Sequence, residues 1–94
     1  MGRYRVVFRR SVAKDLRVCP NRDVRRILAT IVALSEEPRA AGSEKLSGQE
    51  KYRVRQGDYR IIYEIHDEVV VVVVVKVGHR REVHRGSLAR DRWA

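Results

Sequence analysis

The stretch YRVRQGDYRIIYEIHDEVVVVVVVKV, residues 52–77, decides the fold of this chain. Residues 52–55 alternate between apolar and basic side chains, Gln56-Gly57-Asp58 is typical of a turn, and residues 59–66 read as a partner strand. Asp67-Glu68 marks a second turn, into a strand over residues 69–77. Strands joined by such short turns pair antiparallel, so the stretch predicts a three-stranded meander.

The last of these strands contains seven consecutive valines, Val69–Val75. A strand that is apolar at every position is expected where both of its faces are covered. We therefore predict that residues 69–77 lie centrally in the sheet.

The N-terminal half predicts one strand and two helices. Residues 4–8 are rich in β-branched and aromatic side chains, and Ser11 is predicted to cap a short helix that runs to about Arg17. Residues 22–37 have the spacing of an amphipathic helix that Pro38 ends, and residues 39–50 are predicted to be a loop. The apolar positions of that helix are Val24, Ile27, Leu28, Ile31, Val32 and Leu34.

These elements predict a single domain over residues 1–94 with an α+β, two-layer fold. We expect an antiparallel-dominated, twisted sheet of about four strands, with the two N-terminal helices packed on one face. A chain of 94 residues is too short for a second hydrophobic core.

Charge indicates the class of partner. The chain has 21 Lys and Arg against 12 Asp and Glu, a formal net charge of +9, and most of the cations are arginine. Such a balance favours a nucleic-acid partner, although an arginine bias unrelated to function is the alternative. The single Cys19, the absence of an apolar signal core and the shortness of the valine run predict a cytoplasmic protein without membrane contact.

Strand alternation places basic side chains together. Arg53 and Arg55 project from the same side of their strand, and Arg60 is expected to lie beside them if the hairpin closes through Gly57. Three like charges on one sheet face repel each other unless an anion lies among them. The pattern therefore favours a phosphate site over a solvated surface.

Three segments, EKLSG at 44–48, YRVRQGDYRIIYEI at 52–65 and VGHRREVH at 77–84, resemble the RelE branch of the RelE/ParE toxin superfamily. The resemblance covers residues 4 to about 85. It implies a type II toxin that enters the ribosomal A site and cuts translated mRNA through attack of a ribose 2′-hydroxyl, without metal or other cofactor. It also implies that the chain has the RelE-like fold. The implied partners are a small, acidic antitoxin that wraps the toxin, and the ribosome.

The resemblance assigns site residues, with two departures from the family pattern. Arg53 and Arg55 stand where well-known members have lysines, and His84 stands where a tyrosine is common. Because arginine, with a pKa above about 12, cannot act as a base, His84 is hypothesised to perform the acid/base chemistry. The predicted catalytic residues are His84, Arg80, Arg60, Arg53 and Arg55, with RNA-binding residues Lys51, His79, Arg81 and Arg85 and no metal site.

Two other functions stay open at this point. The ParE branch shares the fold and inhibits DNA gyrase by binding, and a catalytically degenerate member would act only as a binding module. Contact with RNA or solvent is the expected role of His79, and Glu64 and Glu82 are expected to pair with arginines. His66 is expected to be structural or exposed, and no His/Cys pair has zinc-ligand spacing.

Overall fold

The computed structural model describes residues 3–40, 42–46 and 50–79. The elements that it describes follow one another from the N-terminus in a β-α-α-β-β-β-β order. They are β1 (Arg5–Phe8), α1 (Arg10–Arg17), α2 (Asn21–Glu36), β2 (Ser43–Lys45), β3 (Lys51–Gln56), β4 (Tyr59–His66) and β5 (Val71–His79).

The five strands form one mixed sheet in the order β1-β5-β4-β3-β2. The three pairs from β2 to β5 are antiparallel, whereas β1 runs parallel to β5. The α+β class and the antiparallel meander are confirmed, and within the described residues the sheet has five strands where about four were predicted. The extra strand, β2, lies in the segment that is predicted to be a loop. Its three polar residues have no strand pattern in the sequence, and pairing with β3 holds them in place.

Both helices match their predicted positions to within a residue. The expected cap at Ser11 is wrong, because α1 begins at Arg10 and its N-cap residue is Arg9, which has an extended backbone and no side-chain cap. The buried stripe of α2 consists of Ile27, Ile31 and Leu34. Leu28 and Val32 belong to the same apolar pattern but are exposed, Val32 by 61%, so the buried stripe is narrower than the spacing suggests.

The core lies between the two helices and one face of the sheet. Val12 of α1 and the α2 stripe pack against side chains of β4 and β5, among which Tyr63 is fully buried. The Tyr63 hydroxyl donates a hydrogen bond of 2.7 Å to the Pro38 carbonyl, which satisfies its only polar atom inside the core. The sheet contributes Ile61, Tyr63, Ile65, Val72, Val74 and Val77 to this core.

The valine run is interrupted before it becomes a strand. A 3-10 turn covers Asp67–Val69, and Val70 adopts a left-handed conformation with φ of 55°, so β5 begins at Val71. As predicted, the strand lies inside the sheet, between β1 and β4. A register shift between Ile62 and Tyr63 leaves Val75 of β5 as an extra residue, because Tyr63 pairs with Val74 and Ile62 with Lys76.

The second half of β5 extends beyond β1, and there Asp15 of α1, instead of a neighbouring strand, contacts its edge. The Asp15 carboxylate accepts hydrogen bonds from the Val77 amide at 3.1 Å and from the Lys76 ammonium at 2.8 Å. This contact satisfies a strand-edge donor and anchors the end of β5. No helix in the described part of the chain has the length and apolar composition that a bilayer crossing requires.

Candidate functional site

The basic side chains of the hairpin lie on the sheet face opposite to α1 and α2. Arg55 is directly across from Arg60, and Arg53 is across from Ile62. Alternation along β3 places Lys51 on the same side. We call the set Lys51, Arg53, Arg55 and Arg60 the arginine face. The sequence predicted this juxtaposition of Arg53, Arg55 and Arg60, and the register confirms it.

A carboxylate from β2 lies among these cations. Glu44 is opposite Arg53 in the register, and its Oε1 accepts hydrogen bonds from Arg53 Nη2 at 2.7 Å and Nε at 3.3 Å. The hydrogen bond and charge of Arg53, followed by the charges of Arg55 and Arg60, lower the pKa of Glu44. Part of the repulsion expected of clustered arginines is therefore relieved within the chain.

A second carboxylate, Glu64, is placed opposite Lys51 at the other end of the arginine face. Its Oε2 is 3.6 Å from Nη2 of Arg9, which confirms the expected pairing with an arginine. Its Oε1 is 2.9 Å from Nε2 of His66, and the His66 side chain is 44% exposed, as expected of a structural or exposed histidine. Glu64 is therefore engaged with the side chains of Arg9 and His66.

His79 is on the other side of the sheet. It pairs with Tyr59 in the register, and the two rings meet edge to face with centroids 5.6 Å apart. The Tyr59 hydroxyl donates to Asp23 Oδ2 at 3.0 Å, and burial together with this bond raises the pKa of Tyr59. The sheet thus separates His79 from the arginine face with which the sequence grouped it.

These residues line a polar cleft at the hairpin end of the sheet. The cleft has a volume of about 230 Å³, and Gly57, in a left-handed conformation with φ of 59°, closes the β3–β4 turn beside it. The remaining lining residues are Asp23, Arg26, Gln56, Asp58, Tyr59 and His79. The cleft is lined by side chains of both charge signs.

The rest of the predicted site lies outside the described residues, namely Arg80, Arg81, His84 and Arg85, together with Glu82. Of the predicted set, the structure brings together Lys51, Arg53, Arg55 and Arg60. Gly78, the penultimate residue of β5, is directly opposite Arg60, so the end of β5 borders the arginine face.

Sequence reasoning missed Glu44 and the Asp15–Lys76 pair. Both depend on contacts between elements distant along the chain, and a single acidic residue in a polar loop carries no signal of its own. Among residues 3–40, 42–46 and 50–79, no group of three or more His, Cys, Asp or Glu side chains is arranged to hold a metal ion.

Both the sequence and the fold of this chain are similar to those of known proteins. Residues 6–84 match the family described as the ParE toxin of the type II toxin-antitoxin system parDE. Toxin RelG of Mycobacterium tuberculosis (strain ATCC 25618 / H37Rv) is 36% identical over 90 residues, which cover 87% of this chain and 97% of that protein.

Solved structures of similar chains have the same fold. The archaeal RelE-RelB complex from Pyrococcus horikoshii OT3 contains a chain with a TM-score of 0.75 and 33% identity, covering 83% of this chain and 96% of that one. The isolated E. coli RelE toxin has a TM-score of 0.72 and 29% identity, covering 93% and 97%. The similarity thus extends over most of the length of each chain.

Proposed function

Because the chain belongs to the RelE/ParE superfamily and is a toxin of the type II toxin–antitoxin class, we propose that it is a ribosome-dependent mRNA endoribonuclease. The proposed reaction is cleavage of translated mRNA in the ribosomal A site, by metal-independent attack of a ribose 2′-hydroxyl on the adjacent phosphate. The observation that carries the proposal is the position of Arg55 opposite Arg60, with Arg53 beside them on the same sheet face.

The arginine face suits the charge that develops in this reaction. As the bond between the 2′-oxygen and phosphorus forms and the bond to the 5′-oxygen breaks, negative charge accumulates on the non-bridging oxygens. Guanidinium groups are permanently charged and offer forked donors to such oxygens. Arg53, Arg55 and Arg60, with Arg80 as implied by the family pattern, are proposed to bind and neutralise this phosphate.

Proton transfer needs a different side chain. One proton must leave the 2′-hydroxyl and another must reach the 5′-oxygen, and arginine cannot exchange protons near neutral pH. We propose that His84 acts as the acid/base group, on the basis of its place in the family pattern. Surrounding cations are expected to lower its pKa and favour the neutral form that can accept a proton.

Contacts with the RNA backbone are proposed for Lys51, Arg81 and Arg85. Lys51 extends the arginine face along β3, which supports its assignment. His79 is proposed to contact RNA as well. Because its ring is on the side of Tyr59, that contact requires the RNA to pass the end of β5 rather than the centre of the arginine face.

Partners are proposed from the relatives and from charge. The similar RelE chain from Pyrococcus horikoshii OT3 is in a complex with RelB, and we propose a cognate antitoxin for this chain. A net charge of +9 favours an acidic antitoxin and an acidic surface such as ribosomal RNA. The ribosome, its mRNA and a cytoplasmic location complete the proposal.

A ParE-type inhibitor of DNA gyrase is the second candidate. The specific observation in its favour is the match of residues 6–84 to a family described as a ParE toxin. A catalytically degenerate member that only binds is the remaining possibility, and the replacement of the family's lysines by Arg53 and Arg55 favours it. Of the three candidates, the nuclease alone is expected to cut mRNA, and the gyrase inhibitor alone is expected to cause a DNA-damage response.

Primer extension on cellular mRNA after brief induction of the toxin separates them. We expect new 5′ ends inside translated codons, and these ends should disappear when initiation is blocked. Intact mRNA with a DNA-damage response would support gyrase inhibition, and intact mRNA with neither response would support the degenerate module.

The role of His84 is tested by single-turnover cleavage of mRNA on programmed ribosomes. His84→Ala is expected to slow cleavage strongly, and comparison with His84→Tyr asks whether the residue common in the family restores the rate. A rate for His84→Ala within threefold of wild type would remove His84 from the chemistry.

A further inference from the structure

Glu44 occupies one of the phosphate-binding positions that the arginine face offers. Its carboxylate accepts hydrogen bonds from both the Nε and the Nη2 groups of Arg53, along one edge of the guanidinium. That edge is one of the two pairs of donors with which arginine binds carboxylate or phosphate oxygens. A phosphate that approaches Arg53 along this edge must therefore displace Glu44.

The contact follows from the backbone rather than from a chance side-chain position. β2 pairs with β3 in a register that sets Glu44 directly opposite Arg53, on the arginine face. The neighbouring residue Lys45 is opposite Tyr52, whose ring packs against the core on the other side of the sheet, and Lys45 pairs instead with Glu50 at 3.2 Å. Strand alternation thus directs Glu44, and not its neighbour, toward the cations.

The pair is also weak enough to exchange. The Arg53 side chain is 38% exposed and that of Glu44 is 66% exposed. Exposed ion pairs contribute little individually and are screened by salt. A phosphate that is already held in the correct position can therefore replace the carboxylate at Arg53. RNA that is held loosely must compete with the carboxylate for Arg53.

We propose that Glu44 is an internal competitor for phosphate at Arg53, which weakens the hold of the toxin on RNA that is not positioned for cleavage. The inference rests on the proposed function in taking RNA phosphate as the ligand of the arginine face. Glu44 is a specificity-determining residue in this role, because it lowers affinity for RNA held only through its backbone, whereas a phosphate positioned for cleavage can displace the carboxylate.

The test is equilibrium binding of a fluorescent single-stranded RNA whose riboses are 2′-O-methylated, so that no 2′-hydroxyl is available for cleavage. Binding is measured over a range of salt concentrations for the wild type, Glu44→Gln and Glu50→Gln. Glu50→Gln is the matched control, because it removes one negative charge from an exposed ion pair away from Arg53. Thermal melting of each variant verifies that the fold is retained.

Glu44→Gln is expected to tighten RNA binding about threefold more than Glu50→Gln does, a size consistent with an exposed ion pair. The slope of log K against log salt should become steeper by about 0.7, the value for one additional phosphate contact on a single strand. In an Arg53→Gln background, Glu44→Gln should have no more effect than Glu50→Gln. That loss of effect would locate the competition at Arg53.

Equal changes for Glu44→Gln and Glu50→Gln, or an effect of Glu44→Gln that persists without Arg53, would overturn the inference. So would a Glu44→Gln protein that does not bind the RNA. Ribosomal cleavage is measured in parallel on unmodified mRNA. If Glu44→Gln binds RNA as expected while the wild type cleaves no mRNA, the proposed nuclease function fails and the competition at Arg53 stands. If the wild type cleaves mRNA but Glu44→Gln does not change RNA binding as expected, the nuclease function stands and the competition at Arg53 fails.

Discussion

Arg55 and Arg60 lie directly opposite each other on β3 and β4, on the sheet face that α1 and α2 leave uncovered. Like charges opposite each other in an antiparallel pair destabilise the sheet. The hairpin tolerates them with the help of Glu44, whose carboxylate lies in the field of all three arginines. An arrangement that costs stability in the free protein is well suited to binding an anion.

Replacing Arg60 tests whether this arrangement has a role in the reaction. Arg60→Ala is expected to slow single-turnover cleavage of ribosome-bound mRNA by about two orders of magnitude, the usual effect of removing one donor to a developing oxyanion. Arg25→Ala removes an equal charge from an exposed position on α2 and should leave the rate nearly unchanged. Equal rates for the two variants would remove Arg60 from the site.

Asp15 is expected to stabilise the end of β5. Asp15→Ala removes the acceptor of both the Val77 amide and the Lys76 ammonium, and the side chain of Asp15 is only 12% exposed. We expect a loss of about 1.5–3 kcal/mol in the free energy of unfolding, measured in urea, and faster hydrogen exchange of the Val77 amide. Asp15→Asn should fall between wild type and Asp15→Ala because it keeps a neutral acceptor.

The control for Asp15 is on the same helix. Lys14→Ala changes an exposed charge of α1 and should alter the free energy of unfolding by less than about 0.5 kcal/mol. Unchanged exchange of the Val77 amide in Asp15→Ala would contradict the anchoring role.

The Tyr63 hydroxyl is expected to matter for stability more than its size suggests. Tyr63→Phe leaves the buried Pro38 carbonyl without the donor that reaches it at 2.7 Å, and should lower the free energy of unfolding by about 1–2 kcal/mol. Tyr52→Phe is the matched control, since the Tyr52 hydroxyl accepts only a long, exposed hydrogen bond of 3.3 Å from Arg39. Losses of similar size in the two variants would argue against a special role for the Tyr63–Pro38 bond.

Asp67 is expected to make stability depend on pH in the acid range. Hydrogen bonds from Arg39, at 2.8 and 3.2 Å, and from Tyr4, at 2.8 Å, lower the pKa of Asp67 below its ordinary value of 3.8. In this pH range the folded state therefore binds fewer protons than the unfolded state. The stabilisation that Asp67 contributes is fully present above its ordinary pKa and is lost as the pH falls through its lowered, folded-state pKa. The difference in Tm between wild type and Asp67→Asn should be constant above about pH 5 and shrink below about pH 4.

Arg39→Gln removes the main cause of that lowered pKa. Arg39→Gln should therefore make Tm less dependent on pH in the acid range, as Asp67→Asn does. A difference between wild type and Asp67→Asn that stays constant down to about pH 2 would refute the assignment.

Local pattern was sufficient for much of the fold. The alternation of YRVR and YRIIYEIH specified which side chains of the hairpin share a face, because successive residues of a strand point to opposite sides. The helical spacing in α2 included its buried residues Ile27, Ile31 and Leu34, although it also included Leu28 and Val32, which are exposed. Neither conclusion required knowledge of a distant element.

Other features depend on pairing between distant segments. The three residues of β2 have no strand pattern and are ordered by β3, and the parallel pairing of β1 with β5 joins the two ends of the described chain. For the same reason, the contact between Glu44 and Arg53 had no visible sign in the sequence. The positions of Arg80, Arg81, His84 and Arg85 remain predictions.

The clearest division between sequence and tertiary structure is in the valine run. The sequence by itself predicted an interior strand here, because an unbroken β-branched, apolar segment is stable only where it is covered, and Val71–Val75 do form part of one, whereas Val69 and Val70 belong to the preceding turn. Seven identical side chains show no alternation between apolar and polar residues, however, so they do not specify which side chains point to which face of the sheet. The extra residue at Val75 shifts the alternation by one, so Val74 and Val77 both point into the core. That shift directs His79 toward Tyr59 and leaves Gly78 opposite Arg60, a choice that only the pairing of β5 with β4 decided.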